Sequence, residues 1–131
     1  MQELLQAARD AMDHAYVPYS GYRVGAAIET AEGEVFSGAN VEIANYSNSL
    51  HAEEVALVRA LMAGYTDFTR LAVTSAARDG VTPCGMCRQT LAEFADEDFR
   101  VMVDSPDGPE EHRLGDLLPH AFTGEALAGE D

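Results

Sequence analysis

Between residues 2 and 16 the chain carries Leu4, Leu5, Ala8, Ala11, Met12 and Ala15 at spacings of three and four, which puts one buried stripe on an amphipathic helix ended by Pro18. Tyr22 to Thr30 and Glu34 to Ala39 are short runs of strand character around Ala31-Glu32-Gly33, whose Glu-Gly step supplies turn chemistry for a hairpin. From Asn40 to Asn48 the chain is polar and irregular and reads as a loop. Leu50 to Met62 is helical again, with Val55, Leu57, Val58 and Leu61 expected inside and Gly64 placed to close it. Arg70 to Ala77 is a strand candidate carrying Leu71, Ala72 and Val73, and Ala76 to Gly80 lead out of it into Thr82-Pro83. A helix follows from Gly85 to Ala95 with Leu91 and Phe94 on one side, then a strand from Phe99 to Asp104. Ser105-Pro106-Asp107-Gly108-Pro109 is turn or loop by composition, and a tail with Leu114, Leu117, Leu118, Phe122 and Leu127 ends the chain. Strands alternating with helices predict an α/β fold, a mixed sheet with helices on both faces, and 131 residues suit one domain spanning 1–131.

Charge narrows the partners. The chain has 23 acidic residues against 8 basic ones, all eight of them arginine, for a formal net charge of −15. Such a surface suits a protein kept soluble by self-repulsion, and a halophilic source is the hypothesis it suggests, because concentrated salt screens the repulsion. Nucleic acid is disfavoured, since its binding relies on basic residues neutralising phosphates, so the expected substrate is small. No run of eighteen apolar residues and no secretory leader is visible, which makes a cytoplasmic protein without membrane association the expectation.

The chemistry concentrates in two stretches, His51-Ala52-Glu53 and Pro83-Cys84-Gly85-Met86-Cys87. Two cysteines at this spacing are a redox pair or metal ligands, and disulfide scaffolding is excluded by their number. His51, Cys84 and Cys87 are three ligands of the kind zinc takes in a catalytic site, where a fourth position stays open. Both groups sit at predicted helix starts, where free N–H groups and the helix dipole favour thiolate. Residues two apart in mid-helix are rotated by roughly 200°, so His51 and Glu53 converge on one ion only at the helix's open end. A structural zinc site wants a fourth protein ligand, and His14, His112 and His120 have no ligand-like spacing. A redox pair leaves His51 and Glu53 unexplained. One imidazole and two thiolates cancel the charge of the ion, whereas three thiolates leave the site negative; Glu54 beside Glu53 is consistent with the neutral set.

A histidine-x-glutamate followed by proline-cysteine-x-x-cysteine is similar to the zinc nucleobase deaminases, and the likeness extends beyond the metal motif. Val17-Pro18-Tyr19-Ser20, Val24-Gly25-Ala26-Ala27, Gly38 through Glu42, Ala52-Glu53, Pro83 through Gln89, Leu117-Leu118-Pro119 and Ala121-Phe122 are blocks by which the chain resembles the cytidine deaminases of short, single-domain, homotetrameric type. That resemblance implies a three-layer α/β/α sandwich with a mixed, about five-stranded sheet, one zinc per chain, and hydrolytic deamination of cytidine and deoxycytidine with Glu53 as proton shuttle. It further implies that Asn40 and Glu42 hydrogen-bond the ribose hydroxyls, that Tyr22 stands beside the pyrimidine, and that the Ala52 backbone contacts the base. Ala44, Tyr46 and Phe122 are implied to reach a neighbouring subunit's site, with Phe122 stacking on the ring. The chain departs from most such relatives at His51, where they have cysteine, and at Glu54, where they have arginine, and the two changes belong together by charge. Asn45-Tyr46-Ser47-Asn48 and His120 depart as well. The alternatives are a deaminase of another aminated heterocycle, such as a blasticidin-type nucleoside or a free base, and a non-catalytic zinc-binding or redox module.

Overall fold

The structure is a computed structural model and describes residues 2–80 and 82–124. Leu127 of the expected tail lies outside the described residues. In chain order the elements are α1 (Gln2–Met12), β1 (Val24–Thr30), β2 (Val35–Ala39), α2 (Ala52–Met62), β3 (Phe68–Ser75), α3 (Gly85–Phe94), β4 (Arg100–Ser105), β5 (Gly108–Arg113) and α4 (Leu114–Leu117), with a 3₁₀ turn at Tyr46–Asn48. They form a five-stranded sheet in the order β2-β1-β3-β4-β5, in which β3 and β4 run parallel and the other neighbours antiparallel. The parallel pair is joined through α3, as a crossover connection requires.

Side-chain alternation along the strands sets the layers. Ala26, Ile28, Leu71, Val73, Val101 and Val103 point to one face and pack with Ala52, Ala56, Leu57 and Ala60 of α2 and Leu91 of α3. Ala27, Ala72 and Met102 point to the other face, against Leu4, Leu5 and Ala8 of α1. The mixed, five-stranded, three-layer α/β/α arrangement agrees with expectation.

Two close approaches hold the layers together. A Cβ on Gly25 would lie 2.0 Å from the Ala8 carbonyl oxygen, and one on Gly38 would lie 2.6 Å from the Ala56 nitrogen, so α1 and α2 pack where the sheet has no side chain. Arg9 of α1 also grips the sheet, donating to both oxygens of the buried Asp104 carboxylate at 2.9 and 2.6 Å, while Thr74 Oγ1 donates to the same group at 2.7 Å.

Several details differ from the pattern-based expectation. The first helix stops at Met12, not at residue 16, because Tyr16 donates its N–H to Asn40 O and accepts from Glu42 N, a bridge that pulls the chain out of the helix. Of the residues expected inside, Leu57 is buried, Val55 and Leu61 are half-buried, and Val58 is exposed. The buried residues of α2 are Ala52, Glu53, Ala56, Leu57 and Ala60, the Ala56 backbone lying against Gly38 with Val55 at the edge of that contact, and Val58 is 49% exposed. Gly64 (φ +100°) does close α2: its N–H bonds Leu61 O at 3.0 Å and Tyr65 N–H bonds Ala60 O at 3.1 Å, the paired bonds of a Schellman cap. The stretch read as loop running into a tail contains β5, which forms a two-residue hairpin with β4 through Pro106-Asp107. Its Gly-Pro-Glu-Glu-His-Arg sequence is an edge strand with no buried residue and no apolar alternation, and proline is admissible there.

Candidate active site

α2 and α3 deliver the chemistry from their first turns. His51 is the N-cap of α2, on extended backbone (φ −86°, ψ 149°), and Cys84 is the N-cap of α3, also extended (φ −67°, ψ 169°). Lying outside the helical repeat, the His51 side chain escapes the rotation that would carry it away from Glu53. Its Nδ1 lies 3.3 Å from Cys84 Sγ and 3.3 Å from Cys87 Sγ. These three donor atoms all lie within 4.8 Å of one another.

The donor set fits zinc. Tetrahedral Zn–S and Zn–N bonds imply sulfur-to-nitrogen separations of roughly 3.5 Å, close to those observed. Burial pushes the Cys87 thiol far above the ordinary cysteine range, and the charges of Glu53 and Cys84 push it the same way. A thiol in such surroundings ionises when a cation lies beside it, which a metal among the three donors would supply. Among the described residues the cluster has three protein donors, which would leave a fourth position of a tetrahedral ion open.

Glu53 stands in the first turn of α2 and is 7% exposed. Burial raises its carboxyl above the ordinary range, opposed by a hydrogen bond from its own backbone and by His51, and reinforced by Glu54. Glu54 has a second role that charge balance did not suggest: its Oε1 accepts the His51 N–H at 2.7 Å, bracing the backbone of the ligand residue.

Beside these groups lies a cavity of about 440 Å³, within the range of small-molecule sites. His51, Ala52, Glu53 and Cys84 line it together with Asn40 and Glu42, and no arginine or lysine does. Glu42 is held by the turn before β1: Oε1 accepts Tyr19 N–H and Ser20 N–H, each at 3.0 Å, and Oε2 accepts the Ser20 hydroxyl. The Ser20 hydroxyl and backbone bonds hold its carboxyl below the ordinary range, so an anion faces the cavity. Asn40 accepts Val24 N–H with Oδ1 at 2.9 Å and donates from Nδ2 to Tyr22 O at 2.9 Å, which leaves it one amide hydrogen for a ligand.

The family described as the cytidine and deoxycytidylate deaminase zinc-binding region matches residues 1–103. The chain belongs to this family. It is 41% identical over 127 residues to the cytidine deaminase of Halalkalibacterium halodurans, covering 96% of each chain. Among solved structures it superposes on a cytidine deaminase from Burkholderia pseudomallei with a TM-score of 0.87 at 40% identity, covering 92% of this chain and 98% of that one. A cytidine deaminase from Mycobacterium tuberculosis gives a TM-score of 0.81 at 38% identity, covering 92% and 95%.

In this zinc deaminase family member, the residues expected at the substrate are not all at one wall. Ala52 is buried and lines the cavity with Asn40 and Glu42. Tyr46 lines it too, 71% exposed and edge-on to Tyr19 with ring centroids 6.1 Å apart. Tyr22 is not among the lining residues; its hydroxyl points to Asp79, 3.3 Å from each carboxylate oxygen. Ala44 and Phe122 are exposed and away from this chain's own cavity, and Gln89 Nε2 holds the Phe122 carbonyl at 2.6 Å. Sequence reasoning gave no site role to Tyr19 and Ser20, which orient Glu42. Their block marked the resemblance, but nothing in the residue types points to a carboxylate more than twenty positions away.

Proposed function

We propose that the chain is a zinc-dependent hydrolase that converts cytidine and deoxycytidine to uridine and deoxyuridine with release of ammonia. One observation carries the reading: a buried carboxylate, Glu53, shares a cavity wall with the His51 and Cys84 donors, while a fixed anion, Glu42, stands in the same cavity. His51, Cys84 and Cys87 would hold the zinc, which would supply Lewis acidity and lower the pKa of water towards neutrality so that hydroxide is available. Glu53 takes a proton from the attacking water and delivers it to the ring nitrogen beside the amine-bearing carbon, which makes that carbon electrophilic. The water oxygen bonds to this carbon; Glu53 then takes the remaining proton from the new hydroxyl and passes it to the exocyclic amine, and the carbon–nitrogen bond breaks to leave a ring carbonyl and ammonia. One buried carboxyl serves both transfers because it stays within reach of water and ring.

The family includes deaminases of a nucleoside and of a nucleotide, and the cavity favours the nucleoside. A phosphate needs cationic or multiple N–H partners, whereas this cavity has no arginine or lysine and has Glu42 ionised within it. Glu42 and the free Asn40 hydrogen suit sugar hydroxyls, an acceptor and a donor side by side. Tyr22 does not line this chain's cavity, so its proposed place beside the pyrimidine rests on the family resemblance alone. Assembly as a homotetramer with shared sites is part of the proposal: Val58, Met62 and Met86 form exposed apolar surface on the outer sides of α2 and α3, and the 60%-exposed Phe122, with Ala44 and Tyr46, is available to a neighbouring copy. No described helix is long and apolar enough to cross a membrane. A cytoplasmic setting, with the acidic surface serving solubility in salt, completes the reading.

Ultraviolet absorbance assays with cytidine, deoxycytidine, deoxycytidylate, cytosine and blasticidin S test it. Loss of absorbance with the two pyrimidine nucleosides and little with the others is expected. No turnover of either nucleoside overturns the proposal, and turnover of deoxycytidylate or blasticidin S alone replaces its substrate.

A further inference from the structure

The two cysteines are not held alike. Cys87 is buried in the first turn of α3 and takes its position from the helix, but Cys84 is the exposed N-cap on extended backbone. Its position depends on whatever fixes the Thr82-Pro83 approach. Arg88, one turn into α3, touches that approach twice: Nε donates to Pro83 O at 2.7 Å and Nη2 to Thr82 Oγ1 at 2.7 Å. Its third arm, Nη1, donates to Leu117 O at the end of α4 at 2.8 Å.

The guanidinium is thereby committed in three directions to neutral oxygens. Among the described residues it joins no ion pair, although the chain has 23 acidic side chains. Its charge is not spent on the surface. A rigid planar fork can satisfy acceptors on three segments at once, whereas a lysine ammonium gathers its donors at one point. Pro83, whose carbonyl it takes, is fully buried, so the contact is fixed on both sides.

We propose that Arg88 is a positioning residue of the metal centre: it holds the Cys84 sulfur at its distance from His51 and Cys87, and through Leu117 it makes α4 part of the brace. The role rests on the proposal that these three donors hold zinc. Partners that orient ligands in this way typically change metal affinity by about 10- to 100-fold when altered.

The test uses the zinc-loaded full chain and follows transfer of zinc to a chromogenic chelator. Arg88→Lys should lose zinc about 10- to 100-fold faster than the parent, and its cobalt-substituted form should show an altered thiolate-to-metal absorption. Thr82→Val, which removes one of the three acceptors, should fall between the two. Arg88→Lys releasing zinc at the parental rate with an unchanged cobalt spectrum overturns the brace. If Arg88→Lys does not fold, Thr82→Val decides the matter by the same two readouts. A parent chain that takes up no zinc overturns the metal reading beneath the brace, an outcome separable from a parent that binds zinc and a variant that binds it equally well.

Discussion

Gly38→Ala places one methyl group where α2 leans on β2. The new Cβ would lie 2.6 Å from the Ala56 nitrogen and 2.8 Å from Val55 Cβ. Neither atom can turn aside, since one is backbone and the other is the root of a β-branched side chain. Gly38 has no positive φ, so alanine suits its backbone and gains about 0.4–1 kcal/mol from a less disordered unfolded chain. Against that, forcing a methyl into a filled core costs about 1–3 kcal/mol. Because the methyl meets backbone at 2.6 Å, the cost lies in the upper half of that range, about 2–3 kcal/mol, and the net loss is about 1–2.6 kcal/mol, or a melting temperature lower by roughly 3–12 °C for a domain of this length. The same displacement bears on catalysis, because the helix pushed outward carries His51 and Glu53 at its start, so kcat should fall along with stability. Calorimetric melts of the zinc-loaded variant provide the measurement. Gly124→Ala is the control, since among the described residues its Cβ meets only Glu93 Oε2 at 3.8 Å, and it should leave the melt at or slightly above the parent's. A Gly38→Ala protein that melts at or above the parent refutes the claim that helix and sheet touch there.

Asp104 is held below the ordinary carboxyl range first by its bond to Arg9, with Thr74 adding to it, so its contribution is complete well above the reference value of 3.8 and is lost as pH falls through the native value. Asp104→Ala should therefore lower stability by about 3 kcal/mol at neutral pH and flatten the acid limb of a denaturation profile, whereas an acid limb as steep as the parent's contradicts the assignment. Glu42→Gln leaves one acceptor where Tyr19, Ser20 and a sugar hydroxyl need two; KM for cytidine should rise about tenfold with kcat little changed, the pattern of lost uniform binding. A fall in kcat at constant KM would place Glu42 in the chemistry instead.

The sequence carried the metal centre more plainly than the rest of the site. His51, Cys84 and Cys87 are legible because zinc restricts ligand type and number, and because helix starts are marked by local signals. The core strands were equally readable where apolar residues occupy both faces, Leu71, Val73, Val101 and Val103 on one and Ala72 and Met102 on the other, in β3 and β4. What was hidden depended on tertiary packing. β5 carries charge and proline at a sheet edge and has no periodicity to find. The burial of α2 along Ala52, Ala56 and Ala60 follows from a glycine in another element, so hydrophobicity alone pointed to Val55 and Val58. Ser20 and Arg88 act through hydrogen bonds to residues that only the fold brings near. Glu54 suggested charge balance by its sign, but its contact is with the His51 backbone.

The central claim is that Glu53 moves the protons while His51, Cys84 and Cys87 hold the metal, and Glu53→Gln tests it most directly. Zinc content and cytidine turnover are measured on the same preparation of variant and parent. The expected result is one zinc per chain in both, with turnover of the variant lower by about 10²- to 10⁴-fold or more. A variant that keeps its zinc and deaminates cytidine within tenfold of the parent contradicts the account.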